Sequence, residues 1–217
     1  MVRQARSELT RRRILRSAVE VFSEIGYPAA GLGDIIDRAE MTKGALYYHF
    51  ESKEALATAI IAESRANLVN VFRTISESSS PAMENVIHGT LVIADVVETG
   101  QQARVGVQLL RALAGFNKAA DDTYASWLES IVEIFRQAGT EEDTRPDLDP
   151  VAAAEVILGT LLGAELLSDA TSRDLRQRIT HAWEMLLPSV VSEQSLDYFR
   201  EFLSREALRR APPAGEG

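Results

Sequence analysis

The sequence predicts an all-α fold, and three observations carry that prediction. Apolar residues recur at three- and four-residue spacing along nearly the whole chain, as a helix with one buried face requires. No stretch shows the apolar–polar alternation of a half-buried strand. Helix breakers fall between the periodic segments: Gly26, Pro28, the run Ser76-Glu77-Ser78-Ser79-Ser80-Pro81, and the acidic loop from Thr140 to Pro150. Apolar residues make up 46% of 217 residues, enough for a substantial core, which excludes an intrinsically disordered chain.

In order, Ile14, Ala18, Val21, Phe22 and Ile25 define a first helix, with Arg11, Arg12, Arg13 and Arg16 near its start and Gly26 in the C′ position that ends it. Leu32, Ile35, Ile36 and Ala39 define a second, short one. Glu40 and Met41 form a tight turn, and Thr42 caps a third helix through its hydroxyl. A fourth begins near Ser52 and continues to about Ile75, long enough to connect two domains. Helical segments follow at about 82–98, 102–116, 120–138, 149–168, 172–187 and 192–209, and the tail 210–217 is expected to be disordered.

The third helix has two chemically distinct sides. Lys43, Gly44, Tyr47 and Tyr48 share one face, whereas Leu46 and Phe50, four apart, anchor the other. A cation, two phenols and a glycine suit contact with phosphates; taken alone, the residues equally fit a capped surface helix. Three short helices with a tight turn between the second and third form a helix-turn-helix, whose last helix enters the major groove. Charge agrees. Residues 1–53 hold nine of the 23 basic and seven of the 32 acidic residues, a net of +2; the remainder carries 14 against 25, a net of −11. A mildly basic head on an acidic body suits contact with an anion at one end.

Other classes find little support. Cysteine is absent, so there is no disulfide framework and no thiolate metal site. His49, His88 and His181 are scattered, without an i, i+4 pair or a Glu-x-x-His motif, and neither a phosphate loop nor a nucleophile elbow occurs. No enzyme, metal or cofactor is expected. No apolar run approaches the roughly 20 residues of a membrane span, and the start MVRQARSELTRRR lacks the apolar core of a secretory signal. A cytoplasmic protein that does not engage a membrane is the expectation.

The run RRRILRSAVEVFSEIGYPAAGLGDIIDRAEMTKGALYYHFESKEAL resembles the N-terminal domain of TetR-family regulators over about the first 56 residues. The resemblance implies a DNA-binding domain over 1–52 and a helical effector-binding and dimerisation domain over 53–209. It implies that Thr42, Lys43, Tyr47, His49 and Lys53 contact the DNA backbone, that Gly44 and Ala45 sit near base edges, and that Tyr48 lies near the groove wall. Gly31 and Gly33 stand where many relatives carry Thr and Ser or Arg, so a hydroxyl cap on the second helix is missing. Glu40 replaces a usual glycine and puts a carboxylate beside the DNA.

RQARSELTRRRIL, TKGALYYHFESKEALA, Arg104-Val105-Gly106-Val107-Gln108-Leu109 and Trp127 are further similar to the γ-butyrolactone receptors of antibiotic-producing bacteria. That branch implies a repressor released by a γ-butyrolactone or butenolide, with Trp127 binding the lactone. Thr160, a hydroxyl in an apolar helix, fits a second donor or a bond to its own helix backbone equally, and Met83, Ile87, Val107, Gln108, Leu110, Tyr124, Ile131 and Val156 are candidate walls. A TetR-family repressor of another hydrophobic ligand, or a non-sensing relative, is the alternative. Segment 149–168 is apolar nearly all round, and Gly159 and Gly163 admit a close helix. It reads either as the central helix of one core or, with 172–187, as the seam of a homodimer.

Overall fold

A computed structural model describes residues 2–76, 80–171 and 174–209; the expected tail 210–217 and the centre of the 76–81 break lie outside them. The described residues form ten helices and no named strand. The first, α1 (Val2–Ile25), ends where Gly26, at φ 78°, donates its N–H to the Phe22 carbonyl at 3.0 Å. Glycine enters this left-handed conformation without a Cβ penalty. The helix starts earlier than expected, so Arg11–Arg16 lie mid-helix. Within it the Thr10 hydroxyl donates to the Arg6 carbonyl at 3.0 Å.

Then come α2 (Leu32–Ala39), α3 (Lys43–His49), α4 (Lys53–Ser76), α5 (Ala82–Thr99), α6 (Gln101–Leu113), α7 (Lys118–Thr140), α8 (Pro150–Thr171), α9 (Leu175–Val190) and α10 (Leu196–Leu208). Each matches an expected segment within a few residues. Helix α9 runs past the expected end at 187, because Pro188 falls in the last turn and removes only one hydrogen bond.

The helices form two units. The first holds the chain through Asn67 and Gly100–Thr123. Here α1 packs against α2 and α6, and Ile14, Ala18, Phe22, Ile35, Leu46, Leu56 and Ile60 are buried. Helices α4 and α6 cross tightly: a Cβ on Gly106 would lie 2.2 Å from Ser64 Oγ, and that hydroxyl donates to the Gln102 carbonyl at 3.0 Å. The expected division at 52/53 follows the motif, whereas the packing joins α6 and the start of α4 to the head.

The second unit holds Leu68–Thr99 and the chain from Tyr124 onward. Helix α9 packs against α5, α8 and α10. Trp183 is 2% exposed, and its indole N–H donates to Thr90 Oγ1 at 2.8 Å. Buried Arg176 donates to Asp95 Oδ2 at 2.6 Å, to the Leu91 and Glu206 carbonyls at 3.1 and 2.5 Å, and to the Arg209 carbonyl. It thereby ties α5, α9 and the end of α10 together, the pairing a buried guanidinium needs.

Helix α8 is not the central helix of this unit. Among the described residues its main packing is on α9, through a side that buries Ala153, Ala154, Ile157 and Ala164. Val156, Leu166 and Leu167 are exposed, and a Cβ on Gly159 or Gly163 would meet nothing within 4 Å. With 22 residues it is also long and apolar enough to cross a membrane by length and composition, contrary to the expectation for this chain. Isolated polar residues such as Glu155 and Thr160 break the apolar run without lowering its average much.

Candidate nucleic-acid interface

The site is built on α3. Thr42 is in extended conformation, and its hydroxyl accepts from the Ala45 N–H at 3.2 Å, so the cap forms as expected. Leu46 and Phe50 are buried and hold the helix to the core. Arg11 lies over Phe50, with 5.5 Å from guanidinium carbon to ring centroid. The other face is open: Lys43, Gly44 and Tyr47 are exposed, and Tyr48 is 79% exposed. Lys43 Nζ sits 5.7 Å from the Tyr47 ring centroid, and the Tyr48 and His49 rings meet edge to face at 5.0 Å. Ala45 and His49 are half-buried at the border. A Cβ on Gly44 would meet nothing within 4 Å, so nothing inside the chain requires a glycine there.

The turn before α3 is left-handed at Glu40, with φ 49° and ψ 48°. A β-carbon makes this conformation costlier than it is for glycine. The Glu40 N–H donates to the Asp37 carbonyl at 3.1 Å, and Arg13 Nη2 meets the carboxylate at 2.9 Å, offsetting the negative charge at the edge of the site. Gly31 caps α2 without a hydroxyl; instead the Asp34 carboxylate accepts from the Gly31 N–H at 2.8 Å. Arg38 braces α2 against α1 through Glu24, at 2.8 and 2.6 Å, and Glu20, at 3.2 Å. The hydrogen bond from Arg38 holds the Glu24 carboxyl below its usual range.

One expected contact residue is turned inward. Lys53 Nζ donates to the carbonyls of Tyr27 at 2.8 Å, Pro28 at 3.3 Å and Ala30 at 2.9 Å, and lies 4.6 Å from the Tyr27 ring centroid. An ammonium has three N–H donors, and the carbonyls account for all of them. Lys53 therefore clamps the α1–α2 connection in this structure.

The expected ligand residues divide between the units. Val107, Gln108 and Leu110 lie on α6 in the first; Met83 and Ile87 on α5, Tyr124, Trp127 and Ile131 on α7, and Val156 and Thr160 on α8 belong to the second. Met83, Ile87, Val107, Leu110 and Ile131 are buried. Val156 is half exposed on the open face of α8, in one stripe with Gly159, Gly163 and Leu167. Trp127 is partly exposed and meets Tyr124 edge to face at 6.2 Å; among the described residues no acceptor meets its indole N–H. The two tryptophans thus differ: Trp183 spends its donor on Thr90, while that of Trp127 is unspent.

The sequence reading missed Asn117. It is 7% exposed and accepts from the N–H groups of Ala119 and Ala120 at 3.0 and 3.2 Å, capping α7. An asparagine directly before a helical run is a legible cap signal. Its side-chain amide also donates to Glu54 Oε1 at 2.9 Å and Thr58 Oγ1 at 3.0 Å, which no local pattern reveals.

A helical chain whose short third helix is capped, anchored from below, and exposes a cationic and phenolic face behind a tight turn defines a helix-turn-helix DNA-binding regulator. The profile described as bacterial regulatory proteins, tetR family, matches residues 14–60. The A-factor receptor protein of Streptomyces griseus is 31% identical over 192 residues, which span 88% of this chain and 67% of that protein. The chain belongs to the TetR family of transcriptional regulators. TylP, a TetR regulator from Streptomyces fradiae, is 28% identical with a TM-score of 0.66, over 97% of this chain and 95% of its own. A γ-butyrolactone receptor structure described as ArpA-like superposes with a TM-score of 0.81 at 23% identity, over 93% of this chain and 98% of its own, which is a likeness of fold.

Proposed function

We propose that the protein is a cytoplasmic, homodimeric repressor that binds a pseudo-palindromic operator and is released by a γ-butyrolactone or butenolide. The observation that carries the reading is the 31% identity to an A-factor receptor across 88% of the chain. Lys43, Tyr47, His49 and Thr42 contact phosphates; Gly44 and Ala45 approach base edges; Tyr48 packs at the groove wall. The open space around Gly44 supports this, because a residue that nothing within the chain holds to glycine can serve an outside surface. Domain 1–52 then supplies the contacts, and 53–209 senses and dimerises.

Two copies pair through α8 and α9. The exposed Val156, Leu166 and Leu167 of α8, its two open glycines, and Met185 of α9 at 81% exposure support this seam. The dimer sets the two α3 helices on half-sites about 34–36 Å apart or a multiple of that. A ligand acts only through its differential affinity for the operator-bound and released states. Trp127, with a large apolar face and an unspent donor, suits the carbonyl of a greasy lactone. Thr160 offers a hydroxyl with no hydrogen bond to its own helix among the described residues.

The test is fluorescence anisotropy of a labelled duplex from the gene's own upstream region, at fixed salt because phosphate binding is salt-dependent. Binding that a lactone reverses, and that Trp127→Ala makes insensitive, is the expected result. Binding that no lactone disturbs overturns the signal and leaves a regulator of another apolar ligand or a non-sensing relative. Failure to bind any palindromic duplex overturns the operator reading itself.

A further inference from the structure

We infer that Asn117 is a positioning residue for DNA binding: it couples the first turn of α7 to the first turn of α4, and through the neighbouring Lys53 clamp to the seating of α2 and α3. The inference rests on the reading that α3 meets the operator. Every polar atom of the Asn117 side chain is used. Its Oδ1 caps α7, while Nδ2 donates to Glu54 at 2.9 Å and Thr58 at 3.0 Å. A nearly buried amide donating to a carboxylate is a strong neutral-to-charged hydrogen bond, and it costs most when one partner is left unmatched. Glu54 follows Lys53 directly. Lys53 holds the Tyr27, Pro28 and Ala30 carbonyls, the last of which immediately precedes the Gly31 cap of α2. Burial first, and then the Glu54 charge, push the Tyr27 phenol up, which puts the Glu54 carboxylate beside the same connection.

The chain of contacts runs from the α6–α7 corner to the start of α4, then to the entry of α2, whose far end turns at Glu40 into α3. Helix α7, which Asn117 caps, also carries Tyr124 and Trp127. A shift of the α7 start is thereby delivered to the DNA-binding head at Glu54, without passing along the length of α4.

The substitution Asn117→Asp separates the two roles. Aspartate caps a helix as well as asparagine does, but it sets a carboxylate against Glu54. Adding Glu54→Gln restores a donor–acceptor pair in reverse, with the glutamine amide donating to Asp at 117. Full-length wild type, N117D, E54Q and N117D/E54Q are compared in operator anisotropy and in backbone hydrogen exchange. Asn117→Asp is expected to weaken operator binding about tenfold, the loss of one hydrogen bond to a charged group. It also speeds exchange across α2 and α3 and leaves α9 unchanged; the double variant returns both readouts to within about twofold of wild type. Unchanged affinity and exchange in N117D, or a double variant no better than N117D, overturns the inference. If wild type binds no duplex, the operator reading fails, while the exchange comparison still decides the link.

Discussion

Helices α3 and α8 each leave one face open, and the two faces have opposite chemistry. The open face of α3 carries Lys43, Tyr47 and Tyr48; that of α8 carries Val156, Leu166, Leu167 and two glycines with free space above them. Water solvates the first readily. The second leaves apolar surface exposed at a cost of about 25 cal/mol per Å². Exposure alone therefore does not mark a partner; its chemistry does. A donor-rich face matches an anion, and an apolar face with small residues matches another helix.

The largest effect is expected at α8. Leu166→Asp with Leu167→Asp should convert a dimer to a monomer in sedimentation and weaken operator binding by about 10²-fold or more, as loss of a central apolar contact does. A double variant that stays dimeric and bound would refute α8 as the seam. On α3, Lys43→Ala should weaken binding about tenfold and reduce the slope of log affinity against log salt by about one. Lys53→Met tests the contrast between the two lysines. It should lower unfolding free energy by ~1–3 kcal/mol through three unmatched carbonyls, seen in urea titration, with the salt slope unchanged.

The glycines sharpen the comparison further. Gly106→Ala drives a methyl into Ser64 and should cost ~1–3 kcal/mol. Gly159→Ala, in the monomeric double-Asp background, should leave stability unchanged or raise it by up to ~1 kcal/mol. The smallest effect is electrostatic. Burial raises the Glu206 carboxyl, but hydrogen bonds from Arg209 and His88 outweigh it and hold it below its ordinary value of 4.5. Its folded value is below the unfolded one, so it stabilises above that pH, and the contribution is lost as pH falls through the folded value. Melting curves of Glu206→Gln should show a weaker acid dependence than wild type.

Much of this was legible in order along the chain. The Thr42 cap, the Gly26 stop and the two faces of α3 follow from neighbours one to four residues away. The pattern of α8 was legible as well, but it allowed a central helix or a shared one. The packing on α9, with the opposite side open among the described residues, argues against the first option. Lys43 and Lys53 show the same limit. Lys43 opens α3 and Lys53 opens the next helix, yet one is exposed and the other meets carbonyls 23 to 26 residues back.

The sequence by itself determined the ten helical segments and the donor face of α3, because helix periodicity and capping are local. Only the tertiary structure decided that α6 joins the head, that Lys53 is a clamp, and that Asn117 reaches Glu54 across 63 residues. Those outcomes depend on which surfaces meet, and a chain's local spacing does not encode the partner that a buried polar group will find.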